Sequence, residues 1–171
     1  MKLMGVCCII AACGGMGFGK GAELSMELSE LQELRKIFFM LRSEVDYTKT
    51  PLGEAFGHIS GRMEGNYHKW LCFLSERLEQ KGGQSFREIW EEAELVIRKE
   101  LHLRKEQREL LRNLGTSLGC YDRELEIGAI DLYLEQLGQS IQQLQQEIPE
   151  KRRLFRCLGV MGGIFVAVVL L

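Results

Sequence analysis

The sequence predicts an all-α protein, a bundle of about six helices with a transmembrane helix at each end. Three observations carry this. Only Pro51 and Pro149 interrupt the 171 residues. Apolar side chains recur at three- and four-residue steps through the middle, with no strand-like alternation. The two ends are uncharged apolar runs, unlike the middle. Mean hydropathy of −0.08 averages over this contrast. All 24 carboxylates lie between Glu23 and Glu150, whereas Lys2, Lys20, Lys151, Arg152, Arg153 and Arg156 lie outside. Sixteen of the 22 cations then face 24 anions in the middle, a net charge of about −8. The expected organisation is an N-terminal membrane segment over 1–20, a helical bundle over 21–150, and a basic collar with a second membrane segment over 151–171.

The run Leu3 to Phe18 sits between Lys2 and Lys20 and is short for a span of roughly 30 Å. Gly15 and Gly19 form a GxxxG pair of the kind that lets membrane helices approach closely. A signal peptide needs a small-x-small cleavage site, which this glycine- and cysteine-rich stretch does not offer. Ile10-Ala11-Ala12-Cys13 is a loose lipoprotein box behind a short apolar stretch. The C-terminal run Cys157 to Leu171 spans if Leu154 and Phe155 join it and Arg156 snorkels. The cations on the inner flanks, by the positive-inside rule, put the middle in the cytoplasm and both termini outside. Cys72 and Cys120, the cysteines of the middle, lack metal or disulfide spacing and are expected as reduced thiols.

Along the middle, Leu24, Leu28, Leu31, Leu34, Phe38, Leu41 and Val45 predict a helix over Ala22–Tyr47. Thr50-Pro51 predicts the next start, a hydroxyl cap followed by proline where the missing N–H costs nothing. That helix runs to about Arg62. A third spans Asn66 to Lys81, closed by Gly82-Gly83. Ser85-Phe86-Arg87-Glu88 is a capping box opening a fourth, with Ile89, Trp90, Ala93, Val96 and Ile97. A pause is expected near His102–Lys105, then a fifth helix to Leu118, with Gly119 as its left-handed cap. Asp122 caps the last, whose stripe is Ile127, Ile130, Leu134, Leu137, Ile141 and Leu144 and which Pro149 should kink.

No phosphate loop, dinucleotide glycine pattern or nucleophile elbow occurs. His58, His68 and His102 share no metal-ligand spacing, so no cofactor or metal is expected. Glu91, Glu92 and Glu94 suit a solvated face. Arg98, Lys99, Arg104, Lys105, Arg108 and Arg112 crowd one stretch of the acidic middle. They form either a solvated face paired with Glu100, Glu106 and Glu109, or a contact for anionic headgroups or an acidic partner. Nucleic acid is not an expected partner at this net charge.

Three segments carry a resemblance. Leu41 to Ala55, with Glu44, Tyr47, Thr50, Pro51 and Leu52, resembles a segment of the stage III sporulation protein AB family. Leu111 to Gly119 with Asp122, and Lys151 to Leu171, are similar to two more. Glu126 stands where the family pattern implies glutamine. The resemblance implies a component of a channel joining mother cell and forespore, related to F-type platform proteins of type II secretion. It implies no catalysis. Expected partners are a cytoplasmic secretion-type ATPase, other membrane subunits, membrane lipids and further copies of the chain. The expected location is the outer forespore membrane, on the mother-cell side. Arg42, Glu44, Arg98, Lys105, Arg108 and Arg112 are the candidate partner contacts. Thr50, Pro51, Gly115, Gly119 and Asp122 are the candidate structural positions. A competing expectation is a membrane-tethered adaptor or ligand sensor.

Overall fold

The computed structural model describes the backbone over 2–80, 83–119 and 122–170, and side chains over 23–80, 83–119 and 122–149. Six α-helices and one π-helical turn make up the regular structure of the described residues, with no strand. They are α1 (Lys2–Ser43), the π-turn (Glu44–Thr48), α2 (Leu52–Ser60), α3 (Gly65–Glu79), α4 (Phe86–Ile97), α5 (Lys105–Ser117) and α6 (Arg123–Leu170). Among the described residues no helix is long and apolar enough to cross a membrane. Both apolar runs lie outside the residues whose side chains are described, as do Cys120 and the Lys81-Gly82 step. Pro149 stands inside α6 without ending it.

The chain divides into two compact units. One comprises the outer parts of α1 and α6, up to Ser29 and from Ile141, where Leu24, Ile141 and Leu144 are buried. The other, Glu30–Ser140, contains the main core and every site described below. Leu31, Leu34, Phe38 and Leu41 of α1 are fully buried, as the three- and four-residue spacing requires. Ala55, Phe56 and Ile59 of α2, and Trp70, Leu71 and Leu74 of α3, are buried too.

Trp90 is the centre of this core. Its ring lies 5.6 Å from Trp70, 5.8 Å from Phe86, 6.3 Å from Phe56 and 6.4 Å from Phe38, centroid to centroid. Its indole N–H donates to the Leu111 carbonyl at 3.1 Å, so the one polar atom of a buried ring is satisfied. A Cβ on Gly115 would come within 1.9 Å of Trp90 Cδ1. Glycine is therefore required there for α5 to approach α4.

Four expectations need correction. α1 ends at Ser43, and Val45 and Tyr47 belong to the π-turn, closed by left-handed Lys49 at φ 57°. Thr50 is not the cap of α2. The Pro51 carbonyl accepts the first helical bond, from the Ala55 amide at 2.9 Å, which places Pro51 itself at the cap. α4 stops at Ile97, so the break before α5 begins with Arg98, earlier than expected, and Val96 is exposed. On α6 the buried phase runs through Ile130, Tyr133 and Leu137, with Leu134 only half-buried. Other local signals hold. Ser85 and Glu88 form the capping box, and Gly119 has φ 80°. The Asp122 carboxylate accepts from the Glu124 amide at 3.0 Å at the start of α6.

Candidate functional site: a cationic groove and a braced turn

Where α4 meets α5, four of the six clustered cations converge. A groove of about 290 Å3 is lined by Arg98, Lys105, Arg108 and Arg112, with Glu91, Glu94, Leu95 and Glu109. Helical spacing explains the set. Lys105, Arg108, Glu109 and Arg112 recur at three- and four-residue steps on α5, while Glu91, Glu94, Leu95 and Arg98 do the same along α4. Several charges have internal partners: Glu91 with Arg87 at 3.1 Å, and Glu109 with Lys105 at 3.8 Å. The Arg108 Nε donates to the Leu103 carbonyl at 2.9 Å. Among the described residues, neither Arg98 nor Arg112 has a carboxylate within ion-pair distance. Leu95, 61% exposed, adds an apolar foothold between them. Lys99 and Arg104 stand outside the groove lining; the Arg104 amide donates to Gln107 Oε1 at 2.8 Å as α5 begins.

The turn at Glu44 gathers the other candidates. Its carboxylate accepts from Thr48 and Thr50, each at 3.2 Å, and lies 3.3 Å from His58 Nδ1 on α2. Burial pushes the Glu44 carboxyl up, but the bonds from His58, Thr48 and Thr50 outweigh it and hold it below its usual range. Thr50 thus reaches back to Glu44 instead of forward into α2. Arg42 bridges Asp131 of α6 at 2.5 Å and Asp46 at 3.1 Å. The hydrogen bond and charge of Asp131 hold its pKa above the usual arginine value. Arg123 of α6 also donates to the Asp46 carbonyl. Both Arg42 and Glu44 therefore have work inside the fold, tying the π-turn to α2 and α6.

The position where the family pattern implies glutamine also has a local role. Glu126 Oε1 accepts from the Gly119 amide at 3.0 Å, across the α5–α6 connection. A glutamine carbonyl can accept the same bond. Burial raises the Glu126 pKa, and the Gly119 amide only partly offsets it. Gly119 itself cannot carry a side chain, because a Cβ would sit 2.5 Å from that of Phe86.

Two sites escaped the sequence reading. Tyr67 of α3 donates its hydroxyl to Glu30 of α1, and its pKa is pushed far up by burial and by that carboxylate. Tyr133 is buried edge-on to Phe38, with ring centroids 4.8 Å apart, and burial pushes its pKa far up. Residue spacing alone carried no signal for Tyr67, whereas Tyr133 lies three residues after Ile130, in the helical phase of the core.

The described residues are all-helical, consistent with a helical bundle. Comparison with known proteins makes the class specific: the chain belongs to the stage III sporulation protein AB family, whose description matches residues 2–171. The stage III sporulation protein AB of Bacillus subtilis (strain 168) is 26% identical over 171 residues, covering 100% of this chain and 99% of that one. A solved structure of a stage III sporulation protein AB superposes with a TM-score of 0.66 at 27% identity. It covers 72% of this chain and 97% of its own. The role of the chain accordingly lies in sporulation.

Proposed function

We propose that the protein is a non-enzymatic membrane platform of the channel between mother cell and forespore, docking a cytoplasmic secretion-type ATPase. Its two apolar ends span the outer forespore membrane, and the helical domain faces the mother-cell cytoplasm. The observation that carries the docking step is the α4–α5 groove. In a domain of net charge about −8, Arg98 and Arg112 are two arginines with no ion pair among the described residues, beside the exposed Leu95. Such a surface suits an acidic partner segment with an apolar anchor. Anionic lipid headgroups are secondary contacts of the same cations. The rest of the machinery is rigid support: Trp90 with Gly115 fixes α4 against α5, and Glu44 with Arg42 fixes the turn that joins α1 to α2.

Two experiments test this reading. Deleting the gene in its host should arrest development after engulfment and leave vegetative growth normal; unimpaired spore yield would remove the proposal. Single cysteines near residue 90 and at the C-terminus, placed in a cysteine-free chain in intact cells, report the topology. A protected middle with a labelled C-terminus is the expected pattern, and a labelled middle removes ATPase docking from that side of the membrane.

A further inference from the structure

The charges of the α4–α5 groove do not all favour an acidic occupant. Glu91 is paired with Arg87 and Glu109 with Lys105, whereas the Glu94 carboxylate has no hydrogen bond or ion pair among the described residues. Glu94 is half-buried, and Arg98 follows it by one helical turn without closing a bridge to it. The contact between the helices fixes what lies opposite. Phe86 lies against Gly119 and Trp90 against Gly115, so four residues forward on α4 answer four residues back on α5. The same register brings residue 111 level with Glu94, next to Arg112. Glu94 and Arg112 therefore line the groove at about the same height, on different helices, and do not meet.

Opposite charges that face each other across a groove without joining leave room for a pair inserted between them. A half-buried carboxylate has lost part of its hydration and gains from a cation that arrives with a partner. A uniformly acidic segment would satisfy Arg98 and Arg112 but would bring like charge against Glu94. An anionic lipid headgroup meets the same repulsion. We infer that the occupant of the groove is a protein segment carrying both signs of charge. It offers carboxylates to Arg98 and Arg112, a lysine or arginine to Glu94, and an apolar side chain to Leu95. Glu94 is then the specificity-determining residue, because it rejects acidic segments that lack the cation. This inference rests on docking at the α4–α5 groove and narrows the chemistry of what docks there.

The test is titration of the purified secretion-type ATPase onto the full-length chain in phosphatidylcholine nanodiscs, whose headgroups carry no net charge. Glu94→Gln should weaken binding about fivefold, the loss of one partly solvated interfacial pair, and Glu94→Lys should weaken it further. Both residues suit a helix, and Glu94 has no side-chain partner among the described residues to lose, so α4 keeps its fold. Unchanged or tighter binding by Glu94→Gln would overturn the inference and leave docking standing, since a uniformly acidic segment gains when Glu94 is neutralised. A wild type that does not bind the ATPase would remove the docking reading and the inference with it. If phosphatidylglycerol added to the discs abolishes binding, the groove takes lipid, and the inference is overturned as well.

Discussion

Gly115 of α5 lies so close to Trp90 of α4 that a single added carbon would sit 1.9 Å from the indole. The same indole donates to the Leu111 carbonyl one turn earlier on α5. Glycine and hydrogen bond together fix the register of α5 on α4, and with it the spacing of the cations across the groove. Gly115→Ala should therefore destabilise the protein by about 3 kcal/mol, the upper range for overpacking a filled core. Thermal unfolding of the purified protein checks this, and an unchanged Tm would contradict it.

Gly119 combines two constraints, a φ of 80° and the nearness of Phe86. Gly119→Ala should cost about 2 kcal/mol or more, from left-handed strain plus the collision with Phe86. By contrast, Gly128→Ala meets open space and should stabilise α6 by up to about 1 kcal/mol through helix propensity. The opposite signs of the two alanines, measured by urea denaturation, are the expected result.

Glu126, where the resemblance implies glutamine, lies in an environment that favours the neutral form. An acid whose pKa is raised on folding binds its proton more tightly in the folded state. Its charge penalises folding above the folded-state pKa, and the penalty vanishes below the unfolded value of about 4.3. Glu126→Gln keeps an acceptor for the Gly119 amide and removes the charge. The variant should melt higher at pH 7, with the advantage lost below about pH 4.

Glu44 has the opposite sign. Its folded-state pKa is lowered, so its stabilisation is complete above the unfolded carboxylate value and is lost as pH falls through the folded one. Glu44→Gln should loosen the π-turn at neutral pH, seen as faster amide exchange at Lys49 and Thr50. Wild type and variant should converge in acid. Asp131→Ala should change the Tm little, since its pair with Arg42 is open to solvent.

The helices were legible because burial in a bundle imposes a period that side-chain spacing displays directly. Gly119, Asp122 and the Ser85 capping box were legible because each acts within a few residues of its partner. What spacing does not display is pairing between elements. Thr50 reads as a cap until Glu44, six residues back, competes for its hydroxyl. α4 ends at Ile97 although Arg98 to Glu100 are good helix formers, since Leu101 and Leu103 are drawn into the core instead. The cation cluster was visible as composition. That Arg98 and Arg112 share one groove while Lys99 and Arg104 stand apart depends on how α5 rests against α4.

The most direct test of the account is capture of the full-length chain from membranes of sporulating cells, followed by detection of the secretion-type ATPase. Wild type is compared with Arg98→Glu/Arg112→Glu, a substitution of two partly solvated groove residues that should leave abundance and Tm unchanged. The account predicts that the ATPase accompanies the wild type and is lost from the charge-reversed variant. An ATPase that stays with the variant, or never accompanies the wild type, would contradict it.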